Sequence, residues 1–193
     1  MIRRLYDWTM HQAETPYALW MLAIVSFIES SVFPIPPDVL LIPMVLAAPH
    51  RAWLIAGVCT LASVLGGIAG YGIGYLAFET IGQPVLDFYG KADKFDTFAQ
   101  QFNEYGAWAV LMAGVTPFPY KVITIASGAT GLDLVVFTVS SIVARALRFF
   151  LLAALLWKFG TPIRTFVERY FGPLTIAFFL SLVGGFVALR YVG

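Results

Sequence analysis

The chain has 193 residues and a formal net charge of +1, with 12% charged and 60% apolar residues. A soluble domain carries roughly 25% charged residues, and the mean hydropathy here is +0.82. This composition excludes a disordered chain, a basic nucleic-acid-binding arm and an ordinary soluble enzyme. It predicts one all-α integral membrane domain over residues 1–193. The single cysteine, Cys59, excludes an intrachain disulfide.

The first apolar region is interrupted. Residues 16–33 are followed by a break and then by a second apolar stretch, residues 39–48. Three prolines and an acidic residue make up this break: Pro34, Pro36, Pro37 and Asp38. Proline lacks a backbone donor and disfavours helix at the residue before it, and such backbone is tolerated at membrane depth only inside protein or beside water. The pattern predicts a re-entrant helical hairpin. We interpret the basic start of the chain as retained, not as a cleaved signal peptide.

The next element, residues 52–78, is an uncharged run long enough to cross the bilayer. Gly66, Gly70 and Gly74 recur along one of its faces, a spacing that lets a neighbouring helix approach closely. We interpret these glycines as packing residues, with a hinge or a lipid path as the alternative. Residues 79–105 mix charges with phenylalanines and predict an interfacial amphipathic connector, with lipid sensing as the alternative.

The second half of the chain resembles the first. Apolar residues 107–116 lead into a break with Pro117 and Pro119, which ends at Lys121, 83 residues after Asp38. A second span, residues 134–157, follows at the same offset. The pattern predicts two hairpin-plus-span units in an inverted repeat, about 16–78 and 106–157, with chance recurrence of the prolines as the alternative.

A third span is predicted over residues 171–190. With about three spanning helices, six basic residues fall on one face of the membrane: Arg3, Arg4, Arg51, Lys158, Arg164 and Arg169. Because basic residues are enriched on the cytoplasmic side, we expect a multi-pass protein of the bacterial inner membrane with a cytoplasmic N-terminus.

Charged residues at membrane depth are the candidate functional residues. A charge at a helix centre costs about 2.5–3.5 kcal/mol on insertion scales, so such groups are paired or used. Lys121, Arg145 and Arg148 would hold an anionic head group, and Glu29 and Asp38 would balance them or take protons. Asp38 and Lys121 become neighbours if the hairpin tips meet. A static salt-bridge network is the alternative.

Catalytic patterns are missing from the sequence. The two histidines, His11 and His50, lie at the flanks of apolar segments, and no nucleophile or metal-binding motif accompanies them. We therefore predict a protein that is not an enzyme and that holds neither a metal nor a cofactor.

Taken together, these residues resemble the DedA family, also called the SNARE-associated or VTT-domain family, and in particular its YqaA-like branch. The resemblance covers residues 15–160 and is carried by four segments: 27–31, 33–38, 116–121 and 126–128, together with the arginines of the second span. It implies a lipid flippase or scramblase, with Glu29 and Asp38 as the essential acidic pair and Arg145 or Arg148 as an essential arginine. The acidic pair is more closely spaced than in better-studied members. An arginine expected near Val115 is absent, and Lys121 is its candidate replacement.

The sequence thus predicts a transporter that moves a phospholipid or polyprenyl-phosphate head group, with proton coupling as an option. A small-ion or small-solute transporter and a non-transporting membrane assembly or integrity factor are the alternatives. The expected partner is a membrane lipid and not a nucleic acid, and the apolar C-terminal run is compatible with a homodimer or a monomer.

Overall fold

The structure, a computed structural model, describes residues 16–32, 36–90, 92–116, 118–160 and residue 162. Every regular element in these ranges is helical. The predicted span over residues 171–190 lies outside the described residues, as do Pro34 and Pro117. The helices in chain order are α1 Pro16–Ser31, α2 Asp38–Ala47, α3 Ala52–Ala77, α4 Gln83–Phe88, α5 Ala92–Glu104, α6 Gly106–Val115, α7 Tyr120–Ala129 and α8 Leu134–Phe159.

The two long helices, α3 and α8, agree with the predicted spans to within two residues. Each has 26 residues, which at 1.5 Å per residue gives about 39 Å. The Asp133 carboxylate starts α8 by accepting hydrogen bonds from the backbone N–H groups of Val135 and Val136, both at 2.9 Å. Gly160, with a φ of 60°, ends α8 in a conformation that favours glycine. Both helices are long and apolar enough to cross a membrane.

These helices run antiparallel. The Trp53 ring near the start of α3 lies 6.1 Å from the Trp157 ring near the end of α8. At the other end of the pair, the Tyr71 and Phe137 rings lie 5.3 Å apart. The predicted inversion of the two units requires this orientation of their spans.

Two broken helix pairs surround the long helices. The first break separates α1 from α2 and includes Pro36 and Pro37, and the second separates α6 from α7 and includes Pro119. Three of the four short helices, α2, α6 and α7, have 10 residues each, about 15 Å, which is half the thickness of a bilayer core.

The short helices are partly exchanged between the two units. The first helix of each pair packs on the long helix of its own unit, α1 on α3 and α6 on α8. The second helix reaches the long helix of the other unit: α7 packs mainly on α3, and α2 contacts α8 and its own α3 about equally. The two halves of the chain therefore interlock, and both breaks lie beside both long helices.

The connector consists of two helices, where one was predicted. A wide helical turn, Phe78–Gly82, continues α3 into α4, and Gly90 with a φ of 60° separates α4 from α5. On α5, the Asn103 side chain donates a 2.8 Å hydrogen bond to the Thr130 carbonyl at the end of α7. The connector is thereby attached to one end of the bundle, called here the connector end.

Two apolar cores lie at opposite ends of the long helices. The first core is formed by α1, α2, the start of α3 and the end of α8, and includes Leu22, Leu41, Ile55 and Phe149. The second core lies at the connector end and is formed by Val110, Tyr120, Leu132 and Phe137. Along α3, Ser63 falls between residues of the two cores, and along α8 Arg145 does the same.

The three glycines of α3 lie against other helices at close range. A Cβ atom at Gly66 would overlap the Phe27 backbone, one at Gly70 would overlap the Thr124 side chain, and one at Gly74 would overlap the Ile125 carbonyl. In contrast, a Cβ at Gly72 would meet nothing within 4 Å. The face of α3 that carries the three glycines therefore contacts α1 and α7.

We expect Gly74→Ala to destabilise the protein and Gly72→Ala to leave it unchanged or slightly more stable. The first adds a methyl group where α7 leaves no room, at a cost of about 1–3 kcal/mol, whereas the second raises helix propensity without a clash. Thermal unfolding in detergent can be followed by a dye that reacts with the buried Cys59 thiol as it becomes exposed. Equal midpoints for the two variants would contradict the packing seen between α3 and α7.

Candidate functional site

Arg145 lies near the middle of α8, and its side chain is 2% exposed. Its Nε–H donates a 2.5 Å hydrogen bond to the Ser63 hydroxyl on α3. Its Nη2 lies 3.1 Å from Glu29 Oε2 on α1. One buried guanidinium thus joins three helices.

The groups around Arg145 form a closed hydrogen-bonded ring. The Ser30 hydroxyl donates to Glu29 Oε2 at 3.0 Å, and it lies 2.6 Å from the Ser63 hydroxyl. Since Ser30 gives its proton to Glu29, Ser63 donates to Ser30 and accepts from Arg145. We name these four residues, Glu29, Ser30, Ser63 and Arg145, the Arg145 ring.

Two aromatic side chains contact the same guanidinium. Its Cζ lies 4.7 Å from the centroid of the Tyr120 ring and 4.6 Å from that of the Phe149 ring. Cation–π contacts of this kind strengthen when water is excluded. Tyr120 belongs to α7, so the contact also fastens the second broken pair to Arg145.

The second ion pair connects the two breaks. Arg148 Nη2 lies 2.6 Å from Asp38 Oδ2, and Arg148 Nη1 donates a 3.1 Å hydrogen bond to the Thr116 carbonyl. Asp38 is the first residue of α2, and Thr116 directly follows α6. Arg148 therefore bridges the break before α2 and the break after α6.

The arginine of this pair is more accessible than Arg145. The side chains of Arg148 and Asp38 are 13% and 12% exposed, whereas those of Arg145 and Glu29 are 2% and 16% exposed. The second oxygen of the carboxylate, Asp38 Oδ1, is buried and has no hydrogen-bond partner among the described residues. A buried carboxylate oxygen without a donor is costly, which makes the pair the part of the site most open to rearrangement.

Lys121 is half-buried at the start of α7. The sequence placed it beside Asp38, but the partner of Asp38 is Arg148, and Lys121 makes no ion pair with a carboxylate in the described part of the chain. The two ion pairs use both buried acids. Lys121 therefore supplies the single excess positive charge of the five-residue set.

The exterior of the long helices is apolar, and hydroxyl side chains are buried beside the apolar cores. Buried positions include many hydroxyl side chains: Ser26, Ser30, Ser31, Thr60, Ser63, Thr124, Ser127, Ser140 and Ser141. Large apolar side chains on α3 and α8 are more than half exposed: Leu54, Leu61, Leu65, Leu76, Val135, Val139, Leu147 and Leu151. An apolar exterior that shields buried polar groups is what hydrocarbon as a solvent requires.

The fold and site define a class of protein: a helical membrane protein whose two broken helix pairs are held together by buried ion pairs. The model of the VTT domain matches residues 35–158, and the chain belongs to this family. The matched range contains Asp38, Lys121, Arg145 and Arg148 and begins after Glu29. The family is membrane-associated, and membership indicates a transporter-like role.

Relatives of similar length support the assignment. A protein of Haemophilus influenzae is 38% identical over 168 residues, covering 85% of this chain and 87% of the relative, and is described as uncharacterized. A protein of Histophilus somni, described in the same way, is 40% identical with the same coverage. No solved structure matches the chain significantly.

Proposed function

We propose that the protein moves a phosphate-bearing lipid head group, that of a phospholipid or polyprenyl phosphate, across the membrane without covalent chemistry. The observation that carries the proposal is the Arg148–Asp38 pair, with its unsatisfied carboxylate oxygen, lying between the two breaks. In the described ranges no cluster of three potential metal-ligating residues occurs. The proposal therefore involves only binding, exchange and release of a charged group.

The proposal includes an exchange step, which the geometry of the Arg148–Asp38 pair supports. A phosphate replaces Asp38 as the partner of the Arg148 guanidinium, since the fork of N–H donors matches phosphate oxygens as well as it matches a carboxylate. Lys121, which supplies the excess positive charge, is the second group that attracts the anion. Asp38 then competes for Arg148 and releases the phosphate.

We assign Arg145 a different part in this proposal. The sequence suggested the same role for Arg145 as for Arg148, but its guanidinium already contacts two aromatic rings, the Ser63 hydroxyl and the Glu29 carboxylate. It positions α1, α3, α7 and α8 around Arg148 and Asp38, which we call the exchange site. Glu29 balances its charge within the Arg145 ring.

Membrane placement is part of the proposal. The breaks, with Pro34, Pro36, Pro37, Pro117 and Pro119, would form the tips of two re-entrant hairpins. Arg51 and Lys158 lie at the same end of the long helices as Trp53 and Trp157, a basic end with an aromatic belt. The start of α1 belongs to the core at that end. These features support an inner-membrane protein with a cytoplasmic N-terminus.

The Arg145 ring also favours one competing function, a non-transporting assembly factor, because every member of the ring is paired. The exchange site argues against it, since a carboxylate oxygen there is left without a donor. If the protein forms a homodimer, the contact uses a surface other than the glycine face of α3, because that face packs against α1 and α7 of the same chain.

The test is lipid translocation in proteoliposomes that contain the full chain. Head-group-labelled phosphatidylglycerol, phosphatidylethanolamine and polyprenyl phosphate are compared with protein-free vesicles, and uptake of inorganic phosphate is measured in parallel. We expect translocation of at least one lipid and no phosphate uptake. Phosphate uptake alone would identify a small-solute transporter, and neither activity in folded protein would support the assembly factor.

A further inference from the structure

Three buried hydroxyl groups in the second unit have no hydrogen-bond partner among the described residues: Tyr120, Ser127 and Ser141. Each is at most 1% exposed. Buried hydroxyls elsewhere donate to the carbonyl one turn earlier, as Thr60 on α3 does to Ala56 and Thr130 after α7 does to Ala126. Ser127 and Ser141 do not use that option, so their hydroxyls are left for another partner.

Tyr120 and Ser141 point to the nature of that partner. Ser141 lies close enough to the Tyr120 hydroxyl to interact with it, but neither oxygen has a partner at both hydrogen-bond distance and angle among the described residues. A pair of neighbouring polar groups without hydrogen-bond geometry is the arrangement that a bridging water completes. Leaving each group unsatisfied would cost about 1–3 kcal/mol, and one bound water removes both costs.

α7 packs mainly on α3 and has little contact with α8. The Tyr120 ring nevertheless contacts Arg145, one turn after Ser141 on α8. Ser127 lies two turns after Tyr120 on the same face of α7, toward the connector end.

The first unit provides an internal comparison. Ser141 is the eighth residue of α8, and the eighth residue of the equivalent helix α3 is Cys59. Ser127 is the eighth residue of α7, and the eighth residue of the equivalent helix α2 is Val45. Both are completely buried in the first core. The hydroxyl positions of the second unit are therefore matched by weakly polar or apolar residues in the first.

We propose that the second core binds water at Tyr120, Ser127 and Ser141, and that the ion pairs are hydrated from the connector end while the first core keeps the opposite end dry. This inference rests on the membrane placement given under the proposed function, and it does not depend on which lipid is transported. A polar head group would accordingly approach the ion pairs through the hydrated second core. Entry from the basic end would require the apolar first core to open.

The first test is radiolytic footprinting of the wild-type protein in lipid nanodiscs, in which radicals formed from bound water modify adjacent side chains. We expect modification of Tyr120 and none of Met44, which is 1% exposed in the first core although methionine is intrinsically more reactive. An unmodified Tyr120 in folded protein would overturn the proposal. Modification of Met44 at the rate of Tyr120 would overturn it as well, because both ends would then be wet.

Cysteine reactivity gives a second, independent readout. Each test position has a matched control at the equivalent position of the first unit. Ser127→Cys is compared with Val45→Cys, both in a Cys59→Ala background. Ser141→Cys, in the same background, is compared with the native Cys59 of the wild type. The probe is aminoethyl methanethiosulfonate. Because only a hydrated thiol ionises and reacts, we expect modification at positions 127 and 141 to be roughly tenfold faster than at positions 45 and 59. Equal rates in both units would contradict one-sided hydration.

These outcomes are separable from those of the lipid assay. Hydration is measured without a transported substrate, so a protein that moves no lipid can still show a wet second core. Conversely, lipid translocation by a protein with a dry Tyr120 would refute this inference and leave the proposed function intact.

Discussion

The Asp38→Asn variant is expected to bind an anionic lipid head group but to lose its translocation, roughly 10- to 100-fold. The neutral amide keeps the size of the side chain at the start of α2, so the protein folds. It no longer competes as an anion for Arg148, and a bound phosphate is not released. Binding of a short-chain labelled phosphatidylglycerol, measured beside its translocation, separates the two steps.

Arg148→Ala supplies the contrast to Asp38→Asn, because it removes the phosphate partner and should lose both binding and translocation. Arg148→Lys retains the charge without the planar fork and should be intermediate. Lys158→Ala, which removes a basic group from the end of the same helix, is the matched control and should behave as wild type. Normal translocation by Asp38→Asn would refute the exchange step.

Arg145→Ala is expected to destabilise the fold by about 3–5 kcal/mol, because it leaves the Glu29 carboxylate buried without a counter-ion. It also removes the hydrogen bond to Ser63 and the contacts with Tyr120 and Phe149. The measurement is thermal unfolding in detergent, followed by exposure of the Cys59 thiol. Arg148→Ala should shift the midpoint less, since the Arg148 side chain is more accessible than that of Arg145.

A double variant tests whether Arg145 positions helices or contacts the substrate. Arg145→Met with Glu29→Gln removes both buried charges and should recover much of the lost stability. If the recovered protein translocates lipid, Arg145 is a positioning residue, as proposed here. A stable double variant that binds no lipid head group would show instead that Arg145 contacts the substrate.

Much of the helix layout could be predicted from the sequence. The long helices predicted at 52–78 and 134–157 follow from apolar runs, the first without a charge and the second apolar apart from Arg145 and Arg148, and such runs depend only on local composition. The breaks at Pro36 and Pro119 follow from the backbone chemistry of proline, which is equally local. The connector was harder, since its break at Gly90 competes with a continuous amphipathic pattern.

Pairing within the site could not be predicted in the same way. The five buried charges were evident because each is costly in hydrocarbon, but their partners depend on which helices cross. The offset between the breaks suggested that Asp38 and Lys121 would be neighbours; exchange of the short helices instead places Asp38 beside Arg148. Ser30, Ser63 and the Tyr120 ring were missed because serine and tyrosine are common in apolar helices, and nothing local marks them as partners of Arg145.

The contact between Ser63 and Arg145 has a consequence for how the two halves depend on each other. Each is the twelfth residue of its long helix, so the hydrogen bond joins equivalent positions of the two units. Two copies of the second unit would place one arginine against another, and two copies of the first would place serine against serine. A homodimer of half-length chains could not form this contact. The division of charge and hydroxyl between the halves makes them complementary, and one covalent chain guarantees that they meet in a one-to-one ratio.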